Sequence, residues 1–88
     1  MPPEPDFSFF ITTLALQASI ALGTIPNPNT NKKEEDLAQA KFLIDTLGML
    51  KEKTKGNLGD EESKLLESVL YELRMQYISK SKDKGEIK

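Results

Sequence analysis

The sequence predicts an all-α fold of three antiparallel helices, at about residues 7–22, 32–55 and 60–78. Apolar residues recur at helical spacing in each of these segments, and clusters of Gly, Pro and Asn separate them. No stretch alternates apolar and β-branched residues as a half-buried strand would. We expect a single helical domain over residues 7–78, built around a helix hairpin and completed by oligomerisation, because an 88-residue chain buries only a small core.

The first segment begins with an extended lead-in at residues 1–6, because three of the first five residues are prolines. Asp6 or Ser8 can then cap a helix that Gly23 ends in a left-handed conformation. This helix carries no charge. It is nevertheless shorter than the about 20 apolar residues that span a bilayer, and polar residues interrupt it. We expect it to be buried.

The second helix follows a polar connection that contains Pro26 and Pro28. Asn31 followed by Glu34 has the spacing of a capping box and predicts where this helix begins. Acidic residues then lie in the first turn and lysines in the last, as the helix dipole favours. These charges are explained without a bound ligand.

The hairpin turn comprises Gly56, Asn57, Leu58 and Gly59. Gly56 has the position of a left-handed residue that ends one helix. Asp60, or Gly59 with an acidic residue three positions later, begins the next helix. The apolar pattern fails after Ile78, and the charged residues 79–88 are expected to form a disordered tail.

Each helix carries a second apolar patch opposite its core face. Helices that packed only on each other would each show one apolar stripe, so two stripes indicate another layer, most simply a second copy of the chain. We call these residues the second surface. They are Phe9, Leu16, Ile20, Ala38, Phe42, Met49, Tyr71, Met75 and Ile78. The other aromatic residues named by the helical pattern, Phe7, Phe10 and Tyr77, are assigned to the core.

Arg74 is the only arginine, and it lies at the edge of the second surface on the third helix. Asp45 has the matching position on the second helix. Counted outward from the turn, the two residues lie within about one helical turn of each other. We hypothesise that they form an ion pair within one chain or between two chains, where a bidentate arginine would fix helix register.

Composition excludes several classes of function. The chain has no Cys and no His, so thiolate nucleophiles, imidazole bases and the usual zinc and haem ligands are absent from it. A net charge of -2 gives no general attraction to nucleic acid or anionic lipid. The acidic, proline-rich start differs from a basic secretory signal. We expect a cytoplasmic protein with no cofactor, no metal, no catalytic residue and no membrane association.

The turn also suits a weaker hypothesis. Gly56 and Gly59, with lysines nearby, have the spacing of a Gly-x-x-Gly loop that clamps an RNA backbone. RNA-binding domains with this loop need a supporting sheet, and none is predicted here. Asp60 and Glu61 also stand where a phosphate-binding loop would have a lysine and a hydroxyl. The structural explanation of the turn is therefore preferred.

The chain resembles a bacterial family known as a domain of unknown function and numbered eighteen forty-four. The resemblance covers about residues 6–78 and implies a small, cytoplasmic, helical protein with no assigned activity and no catalytic residue. The residues that carry it are Asp6-Phe7-Ser8, Leu22-Gly23, Pro26, Pro28, Ile44-Asp45, Met49-Leu50, the turn Lys53-Thr54-Lys55-Gly56-Asn57-Leu58, and Leu70-Tyr71-Glu72-Leu73-Arg74-Met75.

These observations favour a non-enzymatic interaction module that self-associates as a homodimer or a larger homo-oligomer through the second surface. Two alternatives remain open. The same apolar patches would serve a heteromeric adaptor that binds an unidentified protein. The turn lysines and the C-terminal tail would serve weak RNA binding.

Overall fold

The computed structural model describes residues 6–83 and contains three α-helices. In chain order they are α1 (Phe7–Leu22), α2 (Leu37–Lys53) and α3 (Asp60–Asp83), and each helix packs against the other two. Within residues 6–83 the only extended pairing is an isolated bridge between Asn27 and Lys32. The all-α, three-helix prediction is confirmed. The first five residues of the predicted lead-in lie outside the described residues.

Helix α1 has the bounds that the sequence predicts. The Asp6 side chain accepts a hydrogen bond of 3.2 Å from the backbone N–H of Ser8 and so caps the first turn. At the other end Gly23 has a φ of 80°, and its N–H donates to the carbonyl of Ile20 at 3.0 Å. A left-handed residue that closes the last turn in this way is a common helix ending.

The predicted start of α2 at residue 32, with its capping box of Asn31 and Glu34, is wrong. Asn31 has a φ of 58°, and its backbone N–H donates to the carbonyl of Asn27 at 2.7 Å. The asparagine therefore closes a turn within the connection, which asparagine tolerates better than most residues. Helix α2 begins five residues later, at Leu37.

Asp36 is the residue that caps α2. Its carboxylate accepts from the backbone N–H of Gln39 at 3.1 Å. Its own N–H donates to the carbonyl of Ala21 at 2.7 Å, near the end of α1. This bond fixes the start of α2 against α1.

The hairpin turn follows Lys53, two residues before the predicted end of α2. Gly56 has the expected left-handed conformation, with a φ of 83°. Leu58 packs against the core, and the Glu62 carboxylate accepts from the N–H of Gly59 at 2.9 Å. Gly59 and Glu62 thus form the predicted half of a capping box.

Helix α3 continues to Asp83 rather than ending at residue 78, so residues 79–83 are helical instead of disordered. The burial of one residue and one salt bridge favour the extension. Ser81 is buried, and the Lys80 ammonium lies 3.2 Å from a carboxylate oxygen of Glu35 in the connection between α1 and α2. The rest of the predicted tail, residues 84–88, lies outside the described residues.

The core is small and draws on all three helices. Its most buried large side chains are Ile11, Leu22, Leu47, Leu66 and Leu70. The Cα atoms extend over 38, 36 and 16 Å along the principal axes, so the chain is a slab with large faces relative to its volume.

Two of the three aromatic residues assigned to the core pack against it, and one does not. Phe7 and Tyr77 are half-buried beside the core residues. Phe10 is 47% exposed, which corrects the prediction. The neighbouring Ile11 is fully buried, whereas the Phe10 ring contacts the tilted Phe7 ring at a centroid distance of 6.5 Å, near the end of the helix where few core residues remain.

Candidate interaction surface

The second surface is exposed on all three helices. Seven of its nine residues are large apolar side chains that remain about half-exposed or more, namely Phe9, Leu16, Phe42, Met49, Tyr71, Met75 and Ile78. Ala38 is also exposed, whereas Ile20 is half-buried. The predicted orientation is therefore confirmed for eight residues. Their role as an interface stays a prediction.

Phe10 and Ile25 add exposed apolar area that the helical pattern did not identify. Phe10 lies in the first turns of α1, where Phe9 and Thr13 line the same shallow depression. Ile25 belongs to the connection after α1, where helical periodicity gives no information about orientation. The exposure of both residues depends on local packing, which the spacing of apolar residues in the sequence does not reveal.

A shallow groove runs between the outer sides of α2 and α3, and we call it the α2–α3 groove. One section is lined by Ile44 and Asp45 from α2 and by Tyr77 and Ile78 from α3. The section nearer the turn is lined by Lys51 of α2 and, on α3, by Glu67, Leu70, Tyr71 and Met75. Arg74 belongs to both sections. The second-surface residues that line the groove, Tyr71, Met75 and Ile78, all belong to α3.

Arg74 approaches the α2 backbone closely at Gly48. A Cβ atom at position 48 would lie 3.1 Å from the arginine Nη2 atom. Glycine in the middle of a helix lowers stability relative to alanine. At position 48 the missing side chain also leaves space for the guanidinium of Arg74. Arg74 has neither a hydrogen bond nor a salt bridge to any residue in the range 6–83.

Asp45 pairs with Lys41 on its own helix, at 2.8 Å, and not with Arg74. The hydrogen bond and the negative charge of Asp45 raise the pKa of Lys41. Both side chains are largely exposed, so the pair contributes little to stability. Asp45 and Arg74 nevertheless line the same section of the groove. The hypothesis of an Asp45–Arg74 pair within one chain is not fulfilled, and the pair between chains stays a prediction.

Two of the four backbone N–H groups of the hairpin turn donate hydrogen bonds within the chain. The N–H of Asn57 donates to the carbonyl of Thr54 at 2.9 Å, and the N–H of Gly59 donates to Glu62. A loop that clamps phosphate needs N–H groups directed at the ligand. The hydrogen bonds of Asn57 and Gly59 agree with a structural turn, and the purely structural role of Gly56, Asn57, Leu58 and Gly59 stays a prediction.

Two further features bear on the class of function. In the range 6–83, no cluster of three or more acidic side chains has the geometry of a metal site. None of the three helices combines the length and the apolar character needed to cross a membrane.

Comparison with known proteins gives one match. The family model described as "Domain of unknown function (DUF1844)" matches residues 4–79. Neither a curated protein nor a solved structure matches the chain.

Proposed function

We propose that this chain, which belongs to the DUF1844 family, is a non-enzymatic module that self-associates. The proposal rests on its exposed apolar residues. The observation that carries the proposal is the second surface, with seven large apolar side chains about half-exposed or more on an 88-residue chain. Single exposed apolar residues are ordinary, but clusters of large ones mark interaction sites.

The shape of the chain supports this proposal. A slab 16 Å thick has room for only a thin core, and a second layer would cover one of its two large faces. Small domains commonly gain stability in this way, because association removes further apolar surface from water. A second copy of the same chain is the simplest second layer.

The proposed assembly uses the helices as antiparallel neighbours. Three observations support this arrangement for α2 and α3: Lys51 lines the same groove section as Leu70, Ile44 the same section as Tyr77, and Gly48 lies beside Arg74. The numbers fall along α2 as they rise along α3. A hairpin of this kind presents both of its apolar stripes on one face, as two-helix units of four-helix bundles do.

The use of the carboxylates that share a depression supports a non-enzymatic role. General acid-base chemistry needs two titratable groups directed into a concave site. Glu34 and Asp36 line one depression, but the Asp36 carboxylate is engaged as the cap of α2. The α2–α3 groove is shallow, and the pKa shift that stands out among residues 6–83 belongs to the exposed Lys41. We place the module in the cytoplasm, a proposal supported by a sequence without cysteine.

Size-exclusion chromatography with light scattering tests self-association. The proposal predicts a mass of at least twice the 9.9 kDa of the chain at micromolar concentration. As a matched pair of variants, Phe42→Ser should lower that mass, whereas Lys33→Ser, at an exposed polar position, should leave it unchanged. A wild-type chain that elutes as a clean monomer would refute self-association and favour a heteromeric adaptor.

A further inference from the structure

The outward sides of α2 and α3 carry the same residue pattern with opposite charges. On α2, Phe42 precedes Asp45 by three residues and Met49 follows it by four. On α3, Tyr71 precedes Arg74 by three residues and Ile78 follows it by four. Each helix therefore presents an aromatic residue, a central charge and an aliphatic residue at matching intervals.

The structure leaves corresponding members of the two patterns equally exposed. Phe42 and Tyr71 are 64% and 65% exposed. Met49 and Ile78 are 47% and 48% exposed. Neither helix covers the outward side of the other. We call the aromatic, charged and aliphatic residues of each helix a half-pattern, and both half-patterns of one chain are left uncovered.

Resting on the proposed function, we propose that the occupant is a second copy of the chain, related by a twofold axis that passes between Asp45 and Arg74 of the α2–α3 groove. An axis that runs between the two helices and parallel to them places α2 of one copy over α3 of the other, and these two helices run antiparallel. Each half-pattern then meets the other in both directions, as an interface between identical surfaces requires.

The register of this dimer follows from the helix rise. Met49 and Ile78 each lie about 6 Å beyond the central charge, and Phe42 and Tyr71 each lie about 4.5 Å before it. The packed helices run antiparallel, so the axis places Phe42 against Ile78 of the second copy. By the same operation Met49 meets Tyr71 of that copy. Two hairpins packed in this way form a four-helix bundle.

Charge complementarity selects this occupant. Arg74 has no salt bridge within the described part of its own chain, and Asp45 has only the exposed Lys41. The dimer gives each Arg74 an Asp45 from the other copy, twice per assembly. Arginine suits an interface of this kind, because its planar guanidinium binds a carboxylate through two parallel hydrogen bonds.

Charge reversal gives the primary test. Asp45→Arg makes both central charges basic, and Arg74→Asp makes both acidic, so each variant alone should dimerise at least about tenfold more weakly than wild type. In an equimolar mixture of the two variants, every central charge meets its opposite, and affinity should return to within about threefold of wild type. Sedimentation velocity of each sample measures these affinities.

A matched control separates position from net charge. Glu72→Arg makes the same charge change as Asp45→Arg, but Glu72 lies two residues before Arg74 and about 200° around the helix from it. Glu72→Arg keeps Asp45 and Arg74, so alone it should dimerise within about threefold of wild type. A loss of affinity as large as that of Asp45→Arg would show a general effect of net charge and overturn the proposed pairing.

Disulfide formation tests the register, since the natural chain has no cysteine. Phe42→Cys mixed with Ile78→Cys should give a crosslinked dimer on mild oxidation. Phe42→Cys mixed with Tyr71→Cys should not, because this register separates those positions by about 9 Å along the helix. The reverse result would refute the axis.

The two proposals fail in different ways. If wild-type chain is monomeric, self-association itself is wrong. If wild-type chain is dimeric but neither the charge-reversal mixture nor the Phe42–Ile78 crosslink behaves as expected, self-association stands and the twofold axis through the α2–α3 groove is wrong.

Discussion

Gly48 on α2 lies beside the guanidinium of Arg74 on α3, at a separation of only 3.1 Å between Nη2 and the position that a Cβ atom would occupy. The two residues occupy the centre of the proposed dimer face. The contact also allows the cost of this glycine to be measured, because the neighbour is the free end of an exposed, flexible side chain.

Gly48→Ala should raise the free energy of unfolding by about 0.5–1 kcal/mol. Alanine favours a helix interior by this amount over glycine, and the guanidinium can move by a few tenths of an ångström. Urea unfolding at one fixed protein concentration provides the measurement. The gain should be at least as large in an Arg74→Ala background, where the contact is absent. A loss of stability in both backgrounds would contradict the explanation.

Gly23→Ala should destabilise the chain by more than Gly56→Ala. Both glycines have left-handed backbones, with φ values of 80° and 83°, so alanine costs about 1 kcal/mol at either position. At Gly23 a Cβ atom would also lie 2.7 Å from Cγ of Glu35, whereas nothing lies within 4 Å at Gly56. Thermal unfolding of both variants isolates the steric part. Equal losses would show that the Glu35 contact adjusts without cost.

Lys80→Gln should lower the free energy of unfolding by about 0.5–1 kcal/mol, because Lys80 and Glu35 form a salt bridge in which both side chains are only about 30% exposed. High salt should reduce the difference from wild type. Hydrogen exchange should quicken in the last turn of α3. Lys82→Gln serves as control, since Lys82 is exposed. Equal effects of the two variants would remove the specific role of Lys80.

Ser81→Ala should leave stability unchanged or raise it by up to about 1 kcal/mol. The Ser81 hydroxyl is buried and has no hydrogen-bond partner among the described residues. Removing a buried, unpaired polar group is favourable, and alanine also has the higher helix propensity. Chemical denaturation checks this. A loss of more than about 1 kcal/mol would mean that the hydroxyl has a partner in the folded protein.

The sequence predicted helix ends correctly where residues within one helical turn determine them. Asp6 and Gly23 bound α1 because a side-chain cap and a left-handed residue act within one turn. Gly59 with Glu62 begins α3 for the same reason. Periodicity likewise predicted the outward orientation of residues such as Phe42 and Tyr71.

The errors arose where distant contacts override local patterns. Asn31 and Glu34 have capping-box spacing, but the bond from Asp36 to Ala21 sets the start of α2, and no local pattern encodes it. The end of α3 depends on Lys80 reaching Glu35, 45 residues away in sequence. Contacts between chains are less accessible still, since one sequence shows an apolar patch but not what covers it.

Sedimentation equilibrium of the wild-type chain over a dilution series measures self-association without any substitution. Self-association predicts a mass of at least twice 9.9 kDa at micromolar concentration and above, falling toward the mass of one chain on dilution. A mass of 9.9 kDa at every concentration would contradict self-association.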